Sequence, residues 1–203
     1  MCAWGLAWAL GPFINHPVLA NSTTVPNSTP FALAAAQRAV ALAAASPMAL
    51  TTKERGLIDA MSVRYPLDPF ADQTPGYRAY RDKLAALAQA FPQDEDIVSL
   101  FAESVMLLRC NSKGYDFLGP DGMSWPDIAA AAALLETVLK RGTHPFARHL
   151  FIHITEPSSQ NGKEGAARAQ AAANALFAQV RGHYTRWLMC GLVLHVRLVL
   201  CVV

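Results

Sequence analysis

LAALAQAFPQDEDIVSLFAESVM, residues 84 to 106, decides the fold class of this chain. Leu84, Leu87 and Phe91 fall on one face of a helix that also carries Tyr77 and Tyr80, and Pro92 cannot continue it. Asp94, Glu95 and Asp96 then stand at a new helix start, where carboxylates meet the positive end of the helix dipole. Ile97, Leu100, Phe101, Val105 and Leu108 recur at helical spacing, so a second amphipathic helix follows the first after only a few residues. The pattern is that of a helix hairpin.

Two other stretches have the same order of parts. AVALAAASPMALTTKERGLIDAM (39–61) and LETVLKRGTHPFARHLFIHIT (135–155) each run from a small or aliphatic helix end, through a breaker and a polar entry, into a new amphipathic helix. Their spacing is about 45 to 50 residues, longer than the ~34 of a regular tetratricopeptide repeat, and loops at 66–73 and 110–124 account for the excess.

The rest of the chain reads as helices and loops. Trp4, Ala7 and Trp8 mark a short helix over 2–10, ended by Gly11-Pro12. Four prolines among Ser, Thr and Asn make 11–30 a loop. Thr29 caps a helix with Pro30 in its first turn, running to Ala45. Thr51 or Thr52 opens the next, with Leu57, Ile58, Met61 and Tyr65 as its stripe and Pro66 as its end. Thr74-Pro75 repeats the cap-and-proline start. Ser124 caps a helix ending at Lys140-Arg141-Gly142, His144-Pro145 opens another to Thr155, and an alanine-rich helix covers 163–180. No segment alternates over strand length, so the expected fold is all-α, an antiparallel array of about eight helices.

Three segments carry a family resemblance: LAALAQAFPQDEDIVSLFAESVMLL (84–108), LLETVLKRGTHPFARHLFIHITE (134–156) and MCAWGLAWALGPFIN (1–15). They resemble large bacterial and algal tetratricopeptide-repeat proteins over roughly residues 1–157. The resemblance implies an α-solenoid scaffold whose stacked helix pairs bind peptides or partner proteins. It also implies that this chain is a fragment, because further repeats flank these blocks in the family and the sequence departs from the pattern after about Arg181.

Composition narrows the function classes. Of 203 residues 53% are hydrophobic but only 9% aromatic, and much of the remainder is alanine in runs such as 34–36, 43–45, 129–133 and 171–173. Such runs favour closely packed helices. A formal charge of +2, with basic and acidic residues dispersed, offers no electrostatic footprint for nucleic acid. Cys2, Cys110, Cys190 and Cys201 lack metal-finger or disulfide spacing, so they read as reduced thiols in a cytoplasmic protein. The apolar start has no Lys or Arg before Val18-Leu19-Ala20, against a secretory signal. Residues 187–203, WLMCGLVLHVRLVLCVV, are shorter than the ~20 residues a membrane span needs and contain Arg197.

Candidate sites follow from side-chain chemistry. Tyr77, Arg81, Glu103 and Arg109 line the expected inner groove for a protein partner. His149, His153 and Glu156, four and then three residues apart, share a helix face and form a candidate set for a divalent metal, with His16 or His144 as a fourth ligand. With a bound metal, that cluster suits hydrolysis by an activated water. Trp4, Trp8 and Phe13 read as core rather than as a ligand surface, and Tyr77-Arg78-Ala79-Tyr80-Arg81 reads as a solvated face rather than a nucleic-acid groove. No nucleotide or nucleophile-elbow motif occurs.

The expectation is therefore a helical-repeat region over 1–181, followed by a hydrophobic tail at 182–203. Its function is that of a protein-binding scaffold with no cofactor. The alternatives are a metal-dependent hydrolase and a scaffold attached to a membrane through 187–203. Self-association is expected from repeat ends that lack a polar cap.

Overall fold

The computed structural model describes residues 1–15, 28–68, 71–111, 114–157 and 163–181. Among them are eight α-helices: α1 (Cys2–Leu10), α2 (Thr29–Ala45), α3 (Thr52–Ser62), α4 (Thr74–Ala90), α5 (Glu95–Leu107), α6 (Pro126–Arg141), α7 (Pro145–Thr155) and α8 (Lys163–Arg181). A 3-10 turn, Pro47–Ala49, precedes α3. Among the described residues, strand is confined to an antiparallel ladder of two-residue strands, β1 (Cys110–Asn111) and β2 (Gly114–Tyr115), where the sequence reads as a plain connection. The chain is all-α.

Local chemistry explains the helix starts. Thr51 Oγ1 accepts from the Glu54 N–H, and Glu54 answers by accepting from the Thr51 N–H at 2.9 Å, a reciprocal capping box. Pro30, Pro75, Pro126 and Pro145 all sit in first turns, where no helical N–H is lost. The expected caps shift slightly: α2 and α4 take in Thr29 and Thr74, leaving Ser28 and Gln73 at the N-cap positions, and Trp125 rather than Ser124 precedes α6. At the other end of α3, Tyr65 lies beyond the helix that its spacing suggested, because Pro66 disfavours helical backbone in the residue before it.

The contacts separate into two compact units, 1–116 and 117–203, so the boundary falls inside the 1–181 span expected as one region. In the first, each helix from α1 to α5 packs on the next in sequence, and α1 also touches α3. Its core includes Ala32, Ala35, Ala36 and Ala39 of α2, Leu57, Ile58 and Met61 of α3, and Leu84 and Leu87 of α4. The alanine face of α2 lets neighbouring backbones approach closely. Helix α5 is buried almost all round from Ile97 to Leu107.

In the second unit, α6 packs on α7 and α7 on α8. Ile128, Leu135 and Val138 of α6, Leu150 and Ile154 of α7, and Ala169, Ala172 and Leu176 of α8 form its core. The Arg168 guanidinium lies 5.2 Å from the Phe151 ring centroid and pairs with Glu136, tying α8 to both other helices. Before α6, a Leu118–Ser124 bridge closes a turn in which Gly122 takes a left-handed φ of 77°. The hydrophobic tail at 182–203 and His16 lie outside the described residues. Among the described residues no helix is long and apolar enough to cross a membrane.

Candidate functional site

The most unusual chemistry of the first unit is a buried polar cluster built from residues just beyond α3, on α4 and on α5, with α4 packed on both other helices. Arg64 follows α3 and is fully buried. One of its guanidinium nitrogens, Nη2, donates to the Pro12 carbonyl oxygen. Its Cζ sits 4.5 Å from the Tyr80 ring centroid and 5.5 Å from that of Tyr65. The guanidinium thus faces the π-cloud of Tyr80 rather than donating a well-aligned bond to its hydroxyl. Tyr65 Oη donates to the Ala7 carbonyl at 2.7 Å. Gly76 permits the approach of α4, since a Cβ there would lie 2.3 Å from the Arg64 carbonyl oxygen.

Glu103 of α5 completes the cluster. Among the described residues, neither its two carboxyl oxygens nor the Tyr77 and Tyr80 hydroxyls nor Arg64 Nε and Nη1 have a hydrogen-bond partner. Buried groups of this kind are ordinarily paired, so their concentration here sets the cluster apart from a normal core. Burial raises the pKa of Glu103, against the pull of the Arg64 charge. For Arg64, burial opposes ionisation, but Tyr65, Tyr80, Glu103 and Tyr77 together hold its pKa above the usual arginine value. Burial likewise raises the hydroxyls of Tyr65, Tyr77 and Tyr80, with Arg64 again opposing. The Cys110 thiol is pushed up to about 12 by burial and then by the Glu103 charge, so at neutral pH it is no thiolate nucleophile.

The groove residues expected from the sequence are not presented together. Tyr77 and Glu103 are only 6% and 1% exposed, because they occupy core-facing positions of α4 and α5. Arg81 is half-buried and its Nε pairs with Asp82 at 2.7 Å, and Arg109 is half-buried beyond α5. Arg78 is exposed while Tyr80 is buried, so the alternating aromatic and basic residues face opposite ways. Trp4 is half-buried, with its indole N–H on the Leu57 carbonyl at 3.0 Å, whereas Phe13 is exposed rather than core.

A different surface of this unit is open. Phe31, Ala34, Arg38, Leu42 and Ala45 of α2 are all exposed, and their spacing of three and four residues puts them on one stripe. Phe31 and Leu42 are 68% and 54% exposed. Alanine runs obscured this in the sequence, because α2 is apolar on both its faces.

In the second unit, the His149 and His153 rings stand edge to face, their centroids 4.8 Å apart. His153 Nδ1 lies 3.7 Å from Glu156 Oε2, just past the end of α7. The three residues share a face, as their spacing requires. Among the described residues, however, no group of three or more His, Cys, Asp or Glu side chains is placed to hold a metal ion. His144, considered as a fourth ligand, has its Nδ1 accepting from the Ala147 N–H at 3.1 Å, a helix cap.

Compared with known proteins, the chain matches no family model, no curated protein and no solved structure.

Proposed function

We propose that this chain is a protein-binding module of stacked helix hairpins, and that its partner docks on the outer stripe of α2. The carrying observation is that stripe: Phe31 and Leu42 expose large apolar side chains one on either side of Arg38. Single exposed apolar residues are ordinary, but an aligned set on one helix is the form in which helical surfaces take up partner segments. Arg38 between apolar anchors favours a helical or extended peptide with an acidic residue flanked by hydrophobic ones. The hairpin-repeat reading is supported by the three similar junctions in the sequence and by the packing of successive helices on one another in the first unit.

The test is cross-linking at the stripe to identify a partner, followed by titration of the purified pair. The Phe31→Asp, Leu42→Asp double variant should weaken binding at least tenfold, about 1.4 kcal/mol or more. Arg38→Glu should weaken it too, with recovery when the partner's acidic residue is reversed to lysine. Undiminished affinity in the double variant overturns the assignment of the surface.

A further inference from the structure

The buried cluster carries an inference separate from the docking surface. Arg64, although charged and enclosed, spends its hydrogen bond on the Pro12 carbonyl rather than on Glu103, whose two oxygens have no donor among the described residues. A buried carboxyl with no donor is better tolerated neutral than ionised. An ionised one would draw the guanidinium towards itself through its unpartnered Nε and Nη1, and that movement would loosen the Nη2 bond to Pro12.

We propose that Glu103 and Arg64 form a single-proton switch in residues 1–116: with Glu103 neutral, Arg64 fastens the 11–15 segment through Pro12, and ionisation of Glu103 weakens that hold. Gly11, Pro12 and Ile14 of the segment are buried, so its release exposes core surface. Among the described residues, the charged and titratable groups interacting with Glu103 are Arg64 and Tyr65 beyond α3, Tyr77 and Tyr80 of α4, and Cys110 of β1. Arg64 stays charged throughout the working range, and burial holds the tyrosines and the thiol neutral. Glu103 is left as the member of this set that changes charge.

The direction follows from proton linkage. Folding raises the carboxyl's affinity for its proton. The stabilisation from this group is therefore complete below the ordinary carboxyl range, and it is lost as pH climbs from there through the folded-state value. Glu103→Gln keeps the shape and mimics the neutral form at every pH.

Urea unfolding of the full chain and of Glu103→Gln, from about pH 4 to pH 8, compares the two; the contributions of other groups cancel in the difference. The ratio of folding constants, variant over parent, should rise several-fold with pH. Parallel curves, or a ratio that falls, overturn the switch. A second measurement does not depend on the variant folding: side-chain carboxyl NMR of the ¹³C-glutamate-labelled parent. One carboxyl should titrate above the others, with the Ile14 amide signal shifting at the same midpoint. A set of carboxyls all titrating in the ordinary range, or an Ile14 amide that does not follow, also overturns it.

Discussion

Tyr65 and Tyr80 place the same hydroxyl in the same cluster, but only that of Tyr65 has an acceptor. Tyr65 bonds the Ala7 carbonyl, so Tyr65→Phe should cost about 1 kcal/mol in urea unfolding. Tyr80 Oη has no hydrogen-bond partner among the described residues, so Tyr80→Phe should be neutral or stabilising by the same measurement. A larger loss in Tyr80→Phe than in Tyr65→Phe would refute this account of the cluster. Arg64 itself escaped the sequence reading, although it lies three residues after Met61, on the continuation of α3's apolar stripe. A charge at such a position signals either a solvated helix end or a buried partner, and only the tertiary arrangement shows which.

Helix starts were the most legible elements, because a cap and its helix are written within a few neighbouring residues. Asp94 is the clearest: its carboxylate accepts from the Ile97 N–H at 3.1 Å and takes a hydrogen bond from Lys53 Nζ at 2.5 Å. Burial opposes its ionisation, but these donors outweigh that and lower its pKa. The sign is opposite to that of Glu103. Stabilisation from Asp94 is present above the ordinary aspartate value and is lost as pH falls through the folded value. Asp94→Ala should lose about 1 kcal/mol near neutral pH from the cap alone, and the loss should shrink in acid. Chemical denaturation at both pH values checks it; a loss independent of pH would show that the carboxylate's charge is not what matters. The β1–β2 ladder was not legible, since strands of two residues are too short to show alternation. Nor was the Arg64–Glu103 cluster, which joins residues from successive helices with no local marker.

At the scale of the molecule, the sequence predicted helices throughout but not the division at Asp116. That division depends on which apolar faces meet, and alanine-rich faces are too alike to announce their partners. Residues 1–116 expressed alone should keep helical circular dichroism and a cooperative urea transition, because the contacts holding α1 to α5 lie within that span. A featureless, non-cooperative unfolding curve would count against its being a unit. The glycines set a sharper constraint. A methyl group at Gly11 would collide with Tyr65 Oη at 2.1 Å, and one at Gly76 with backbone. Gly76→Ala should therefore cost on the order of 1–3 kcal/mol. In a protein whose helices accept alanine at so many points, an alanine scan would meet intolerance at these two sites, marking where the spacing between chain segments is narrower than a single carbon.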